Sequence, residues 1–137
     1  MATSPTFFTD RMQLTPAIVG FNTARDGTVA AGETAPTIIF TPGQYGSIVE
    51  EIVFQTDGYP ADCVLTIFLY DGANYWLFDE VDVGGPAAAS TVTPGFRIRY
   101  TYESLIIPKE WTIRAALTVV LVSGTMKTIV SGRDFNE

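Results

Sequence analysis

Residues 63–83 read CVLTIFLY-DGAN-YWLFDEVDV, and this stretch decides the fold. The first eight residues are almost continuously apolar, which suits a central strand covered on both faces. Asp71-Gly72 then interrupts the run, and a second aromatic and β-branched segment begins at Tyr75. A short Asp-Gly connection between two such segments predicts a β-hairpin.

The same grammar extends in both directions. Upstream, residues 37–41 form a strand closed by Pro42-Gly43 and Gly46. Residues 47–55 follow, with Ile48, Ile52 and Phe54 expected on one face and Val49, Glu51 and Val53 on the other. Glu50 falls on the first face and breaks the alternation. Downstream, Phe96, Ile98, Tyr100 and Tyr102 alternate with Arg97, Arg99 and Thr101, a half-buried strand. Residues 111–122 are expected as a further strand, and the apolar run from Ala115 to Val122 as its buried part. Residues 126–130 give the last strand, before a polar end. Residues 20–35, with Asn22, Asp26-Gly27 and Gly32, read as a long polar loop. No segment repeats its apolar residues with a helical period. About eight strands at regular turn spacing predict an all-β chain: a single antiparallel β-sandwich, jelly-roll-like.

The chain of 137 residues fits one domain. Its organisation is expected as an extended N-terminal arm and edge strand over residues 1–19, then a β-sandwich domain over residues 20–137. Pro16 cannot donate to a ladder, which places its segment at a sheet edge or in the arm. Phe7 and Phe8 form an apolar pair in an otherwise polar start, and a pair of that kind tends to mark a contact site. With Met12 and Leu14 they make the expected protein-contact residues of the arm.

Chemistry is scarce. The chain has no histidine and a single cysteine, Cys63. Ser-His-Asp, Cys-His and Cys/His zinc sites are therefore excluded, as are internal disulfides. Neither GxxxxGK[ST] nor GxGxxG occurs. Asp79, Glu80 and Asp82 could offer oxygen ligands to calcium, but alternation sends Asp79 opposite to Glu80 and Asp82, and a solvated acidic edge explains them better. Catalytic residues, cofactors and metal sites are expected to be none, and the chain is expected not to be an enzyme.

Net charge is −7, and the eight basic residues are scattered, unlike the basic stripe of a nucleic-acid surface. No run approaches the ~18 apolar residues of a membrane helix, and the start lacks the pattern of a signal peptide. Neither a nucleic-acid nor a membrane partner is expected. Charged residues make up only 17% of the chain, below the typical ~25%, so much of its surface suits cover by a partner protein. Tyr75 and Trp76 stand apart as a possible exposed aromatic surface. With the neighbouring tyrosines they open an alternative, a tail or surface module binding host glycans by stacking.

Several stretches together resemble small β-sandwich structural proteins of tailed-phage virions. They are MATSPTF at 1–7, NTARDGT at 22–28, FTPGQYGS at 40–47, LYDGAN at 69–74, and LIIPKEW at 105–111 running into TIRA. The order and spacing hold along most of the chain. The C-terminus departs: a Gly-Gly-Asp-aromatic ending is expected, and the sequence has Ser131-Gly132-Arg133-Asp134-Phe135. The resemblance implies a capsid decoration (cement) protein that stabilises the capsid by protein contacts. Its implied partners are the major capsid protein and further copies of itself, as a dimer or trimer. Its implied place is the capsid surface of the virion, after synthesis in the host bacterial cytoplasm. It supplies no functional residues.

Overall fold

The computed structural model describes residues 9–58, 62–83, 94–121 and 123–135. They form eight strands: β1 (Thr9–Phe21), β2 (Thr37–Phe40), β3 (Ser47–Thr56), β4 (Val64–Tyr70), β5 (Tyr75–Asp82), β6 (Arg97–Ile107), β7 (Thr112–Leu117) and β8 (Met126–Phe135). The chain is all-β, as its patterning predicts, and the architecture is a jelly-roll-like sandwich. One half pairs β1-β8-β3-β6, and the other pairs β5-β4-β7 with β2 on the free side of β7. The two halves join into one curled sheet because β1 changes partner. It runs antiparallel to β8 from Thr9 to Val19, then parallel to β7 at Gly20 and Phe21. That short parallel contact departs from the expectation of purely antiparallel pairing.

The core lies between the halves. Phe40, Phe54, Ile39, Ile52, Leu65, Ile67, Ile107, Ile113 and Met126 are fully buried there. β4 is central and its alternate residues Thr66 and Phe68 are also buried, on the opposite face. The cover on that face comes from the loop between β1 and β2. Gly27 lies so close to Tyr75 that a Cβ there would fall 2.1 Å from its ring, and the Tyr75 ring stands edge-on to Phe68. Asn22, buried, holds the loop by donating from Nδ2 to the carbonyls of Thr28 and Thr34 at 3.1 and 2.9 Å.

Three expectations change. In β3, Val49 shares the core face with Ile52 and Phe54, and Ile48 does not. The pairs Val49↔Gly132 and Glu51↔Ser131 leave Glu50 as an extra residue. A bulge of this kind flips every side chain on one side of it, so the misplaced Glu50 of the sequence pattern marks the bulge. The run 115–122 is not one buried strand. β7 stops at Leu117, beyond which Val119 and Val120 are 43% and 62% exposed. The polar end is not loose either: β8 continues to Phe135, paired on both sides as far as Asp134.

The end of β8 is held by a polar knot. Asp134 is 7% exposed and its Oδ1 accepts from Ser47 Oγ and Gln13 Nε2, each at 2.6 Å. Gly43 donates its N–H to Ser47 Oγ at 2.9 Å, and a Cβ on Gly43 would fall 2.6 Å from the Asp134 carboxyl carbon. One carboxylate thus ties β1, β3, β8 and the turn before β3. Buried donors that lose their acceptor pay the full desolvation penalty. Asp134→Ala is expected to lower unfolding stability by about 2–3 kcal/mol in urea denaturation.

At the opposite seam β5 faces β6. Phe78 packs on Tyr102 with ring centroids 6.1 Å apart. The Tyr102 hydroxyl is buried without a hydrogen-bond partner. Burial first, then the charge of Asp79, pushes its pKa up to about 12. The folded value therefore exceeds the unfolded value of about 10. The fold favours the protonated phenol, and that contribution is complete below pH ~10 and lost as pH rises towards ~12. Tyr102→Phe is expected to match or exceed the parent at pH 7, by up to about 1 kcal/mol, because it removes an unpaired hydroxyl. Denaturation between pH 10 and 12 should show a shallower loss of stability in the variant.

Candidate functional site: an apolar protein-contact face

The outer face of β1-β8-β3-β6 mixes apolar and charged side chains. On β1, strand alternation turns Gln13, Thr15, Ala17 and Val19 inward and Met12, Leu14, Pro16 and Ile18 outward. Met12, Leu14 and Ile18 are 69%, 70% and 56% exposed, and Ile129 on β8, opposite Pro16, is 47% exposed. These side chains make an apolar stripe. Pro16, Ile18 and Ile129 line a shallow groove of about 480 Å³ with Ala17, Lys127 and Thr128. Ion pairs lie beside the stripe: Arg133 on β8, opposite Met12, meets Glu50 on β3 at 3.1 Å, and Arg99 on β6 meets Glu51 on β3 at 3.4 Å, while Ile106 on β6 is also exposed. Lys127 borders the stripe, and Asp57 holds its Nζ at 3.0 Å.

Backbone geometry explains how Pro16 is tolerated there. Gly20 donates its N–H away from β8, to Thr37 Oγ1 at 2.9 Å. Counting back in twos along an unbroken register, the amide position of Pro16 also faces away from β8. Proline therefore removes no ladder bond, and it leaves one donor fewer on the free edge.

Of the expected contact residues, Met12 and Leu14 lie on this stripe. Phe7 and Phe8 lie outside the described residues. Tyr75 and Trp76 are not brought together. Leu69 pairs with Trp76 and Tyr70 with Tyr75, which puts the two on opposite faces of β5. Tyr75 is packed against Tyr70 at 4.3 Å between centroids. Its hydroxyl accepts from Arg114 Nη1 at 3.2 Å, and that guanidinium lies 4.3 Å over the Tyr70 ring. Trp76 is 53% exposed, and its Nε1 donates to Asp71 Oδ2 at 2.9 Å. A flat stacking platform built on both rings does not form.

The acidic group is likewise dispersed. Ile67↔Asp79 and Phe68↔Leu77 make Phe78 an extra residue, so Trp76 shares a face with Asp79 and Val81, and Glu80 and Asp82 lie on the other. Glu80 Oε1 receives Arg25 Nε at 2.8 Å. Among the described residues no three His, Cys, Asp or Glu side chains are placed to hold a metal ion. Cys63 is buried, and burial, followed by the charges of Asp82 and Asp62, pushes its thiol up, away from a reactive thiolate. No helix among the described residues is long and apolar enough to cross a membrane.

Pro16, Ile18 and Ile129 extend the stripe beyond the residues named from sequence. Their signal is the two-residue alternation Met12-Leu14-Pro16-Ile18, once the strand is given an inside. Because the stripe contributes little to the core, Leu14→Ser is expected to change unfolding stability by less than about 0.5 kcal/mol. Guanidinium denaturation of the two proteins checks this.

No protein-family model and no curated protein matches the sequence. Among solved structures, one described as the structure of infectious bursal disease virus Gx strain is similar, with 14% identity and a TM-score of 0.33. The match covers 97% of this chain, which spans 37% of that one.

Proposed function

We propose that this protein is a non-enzymatic structural component of a virus particle. It decorates and stabilises the capsid of a tailed phage by protein–protein contacts, with the major capsid protein as its partner. The observation that carries this reading is the apolar stripe of Met12, Leu14, Pro16, Ile18 and Ile129, five exposed apolar side chains side by side on β1 and β8. Exposed apolar surface concentrated on one strand edge suits burial against another protein. The resemblance of the sequence stretches to tailed-phage structural proteins supplies the particle and the partner. Repeated capsid sites would add avidity to modest single contacts.

The dispersed carboxylates and the buried Cys63 favour binding over catalysis. The glycan alternative rests on Trp76 alone, since Tyr75 is turned to the other face and engaged by Arg114.

Mass spectrometry of purified phage particles is expected to find the chain at a stoichiometry matching a capsid lattice site. Particles that lack it would rule the reading out. In a reconstitution on stripped capsids, Leu14→Asp should weaken binding at least about tenfold, the loss of a central apolar contact.

A further inference from the structure

We infer that two copies of this chain join side by side through the free edges of β5 and β6, with β5 of each copy pairing with β6 of the other. This extends the proposed structural role by naming a surface for self-association. That surface lies apart from the β1–β8 stripe, so the two contacts stand or fall separately.

Strand order supplies the edges. The path β5-β4-β7-β1-β8-β3-β6 has β5 and β6 at its two ends. Among the described residues β5 pairs only with β4, and β6 only with β3. The curl of the sheet brings both ends to one side of the sandwich, where Phe78 and Tyr102 pack. Trp76, Leu77 and Phe78 are consecutive, point between them to both faces of β5, and are all exposed, as a strand with an open edge requires. Open edges present unpaired N–H and C=O groups that another strand can satisfy. Five antiparallel ladders and one parallel ladder separate β5 from β6, so the two run in opposite senses. A two-fold axis parallel to the strands keeps the sense of each strand and exchanges the two layers. It sets β5 of one copy antiparallel to β6 of the other, twice over.

Charge selects this pairing over the alternatives. β5 carries Asp79, Glu80 and Asp82, and β6 carries Arg97 and Arg99. β5 against β5 would set carboxylates on carboxylates, and β6 against β6 would set arginines on arginines, both unfavourable across strands. β5 against β6 sets opposite charges together. Glu80 and Asp82 lie on the outer face of β5. Arg97 and Arg99, opposite Gln55 and Val53, lie on the outer face of β6 and are exposed. In antiparallel pairing the numbers of opposed residues keep a constant sum. The register that sets Asp82 opposite Arg97 therefore also sets Glu80 opposite Arg99. On the inner face it sets Val81 opposite Ile98, an apolar pair, and Asp79 opposite Tyr100. Glu103, the one carboxylate on β6, falls near Tyr75, clear of the acidic end of β5. Within each copy Arg25 already meets Glu80 at 2.8 Å, and Glu51 meets Arg99 at 3.4 Å. The joined sheet continues both into one row of alternating sign: Arg25 and Glu80 of one copy, then Arg99 and Glu51 of the other. Edge charges commonly keep strands apart. Here they bar like edges and admit unlike ones.

The test uses the full chain, with mass read by light scattering and sedimentation. The parent is expected as a dimer. Glu80→Arg with Asp82→Arg, and separately Arg97→Glu with Arg99→Glu, should each weaken that dimer at least about tenfold. Each variant alone has two edges of one sign. Mixed in equal amounts, the two variants should dimerise again, because every edge then meets one of opposite sign. All four substitutions in one chain should restore the dimer as well, which a variant that merely fails to fold could not do. Three results would overturn the pairing. One is a monomeric parent. Another is a dimer indifferent to either charge reversal. The third is a pair of variants that stays monomeric on mixing, together with a monomeric four-substitution chain. Detection in phage particles is a separate measurement. A monomeric chain found in particles sinks the pairing alone, whereas a paired dimer missing from particles sinks the structural role alone.

Discussion

The change of partner along β1 is the constraint on which the rest of the structure depends. Thirteen residues pair first with β8 and then with β7, so a single strand belongs to both halves of the sandwich. A strand in that position must curl, and it carries the sheet around the core with it. Gly20 sits at the transition, where a Cβ would fall 2.9 Å from Thr34 Oγ1. Beyond it, Phe21 and Asn22 anchor the long loop that covers the outer face of β4, β5 and β7. The same strand has its free edge and outward stripe on the other side of that transition. Core, loop cover and contact face are consequences of one path.

The two outer faces of the sandwich are finished differently, and the difference is chemical. Over β4, β5 and β7 the chain supplies its own cover. Gly27 seats on Tyr75, Arg25 reaches Glu80, and Arg114 lies over the Tyr70 ring. Over β8, β3 and β6, opposite charges pair across strands, with Ile106 exposed among them. On β1 from Met12 to Ile18 the outward side chains carry neither cover nor charge. The same chain that spends a fifteen-residue loop on one face (about half its β1–β2 region, residues 22–36) leaves five apolar side chains bare on the other. The proposed partner rests on this adjacency rather than on any single exposed leucine, since scattered apolar residues are ordinary on protein surfaces.

Much of the fold was legible because period-two patterning is a direct consequence of strand geometry. The hairpin at Asp71-Gly72, the central burial of β4 and the alternation of Phe96, Ile98, Tyr100 and Tyr102 could all be read directly. The errors cluster at bulges. Glu50 and Phe78 each insert one residue, and each reverses the faces assigned to the side chains beyond it. A regular pattern cannot announce its own interruption, although an acidic residue on an apolar face, as at Glu50, is a trace of one. Burial by polar means was the second blind spot. Ser131, Arg133 and Asp134 look like a frayed end, yet Asp134 is enclosed by Ser47 and Gln13, residues 87 and 121 positions away. Partners that distant leave no local signal. At the contact face, Met12 and Leu14 were legible, whereas Ile129 required knowledge that β8 lies beside β1.

The dispersal of reactive groups follows from the same architecture. In a sandwich whose centre is filled by Phe40, Phe54, Ile67 and Ile113, little room remains for a polar cavity between the sheets. Several titratable side chains lie at edges and loop ends beside a partner. Glu80 meets Arg25, Asp57 meets Lys127, and Asp71 accepts from its own hairpin and Trp76. These paired groups are spread over separate edges and loops. A filled core leaves the exposed apolar stripe on β1 and β8 as the surface on which the proposed protein-contact role rests.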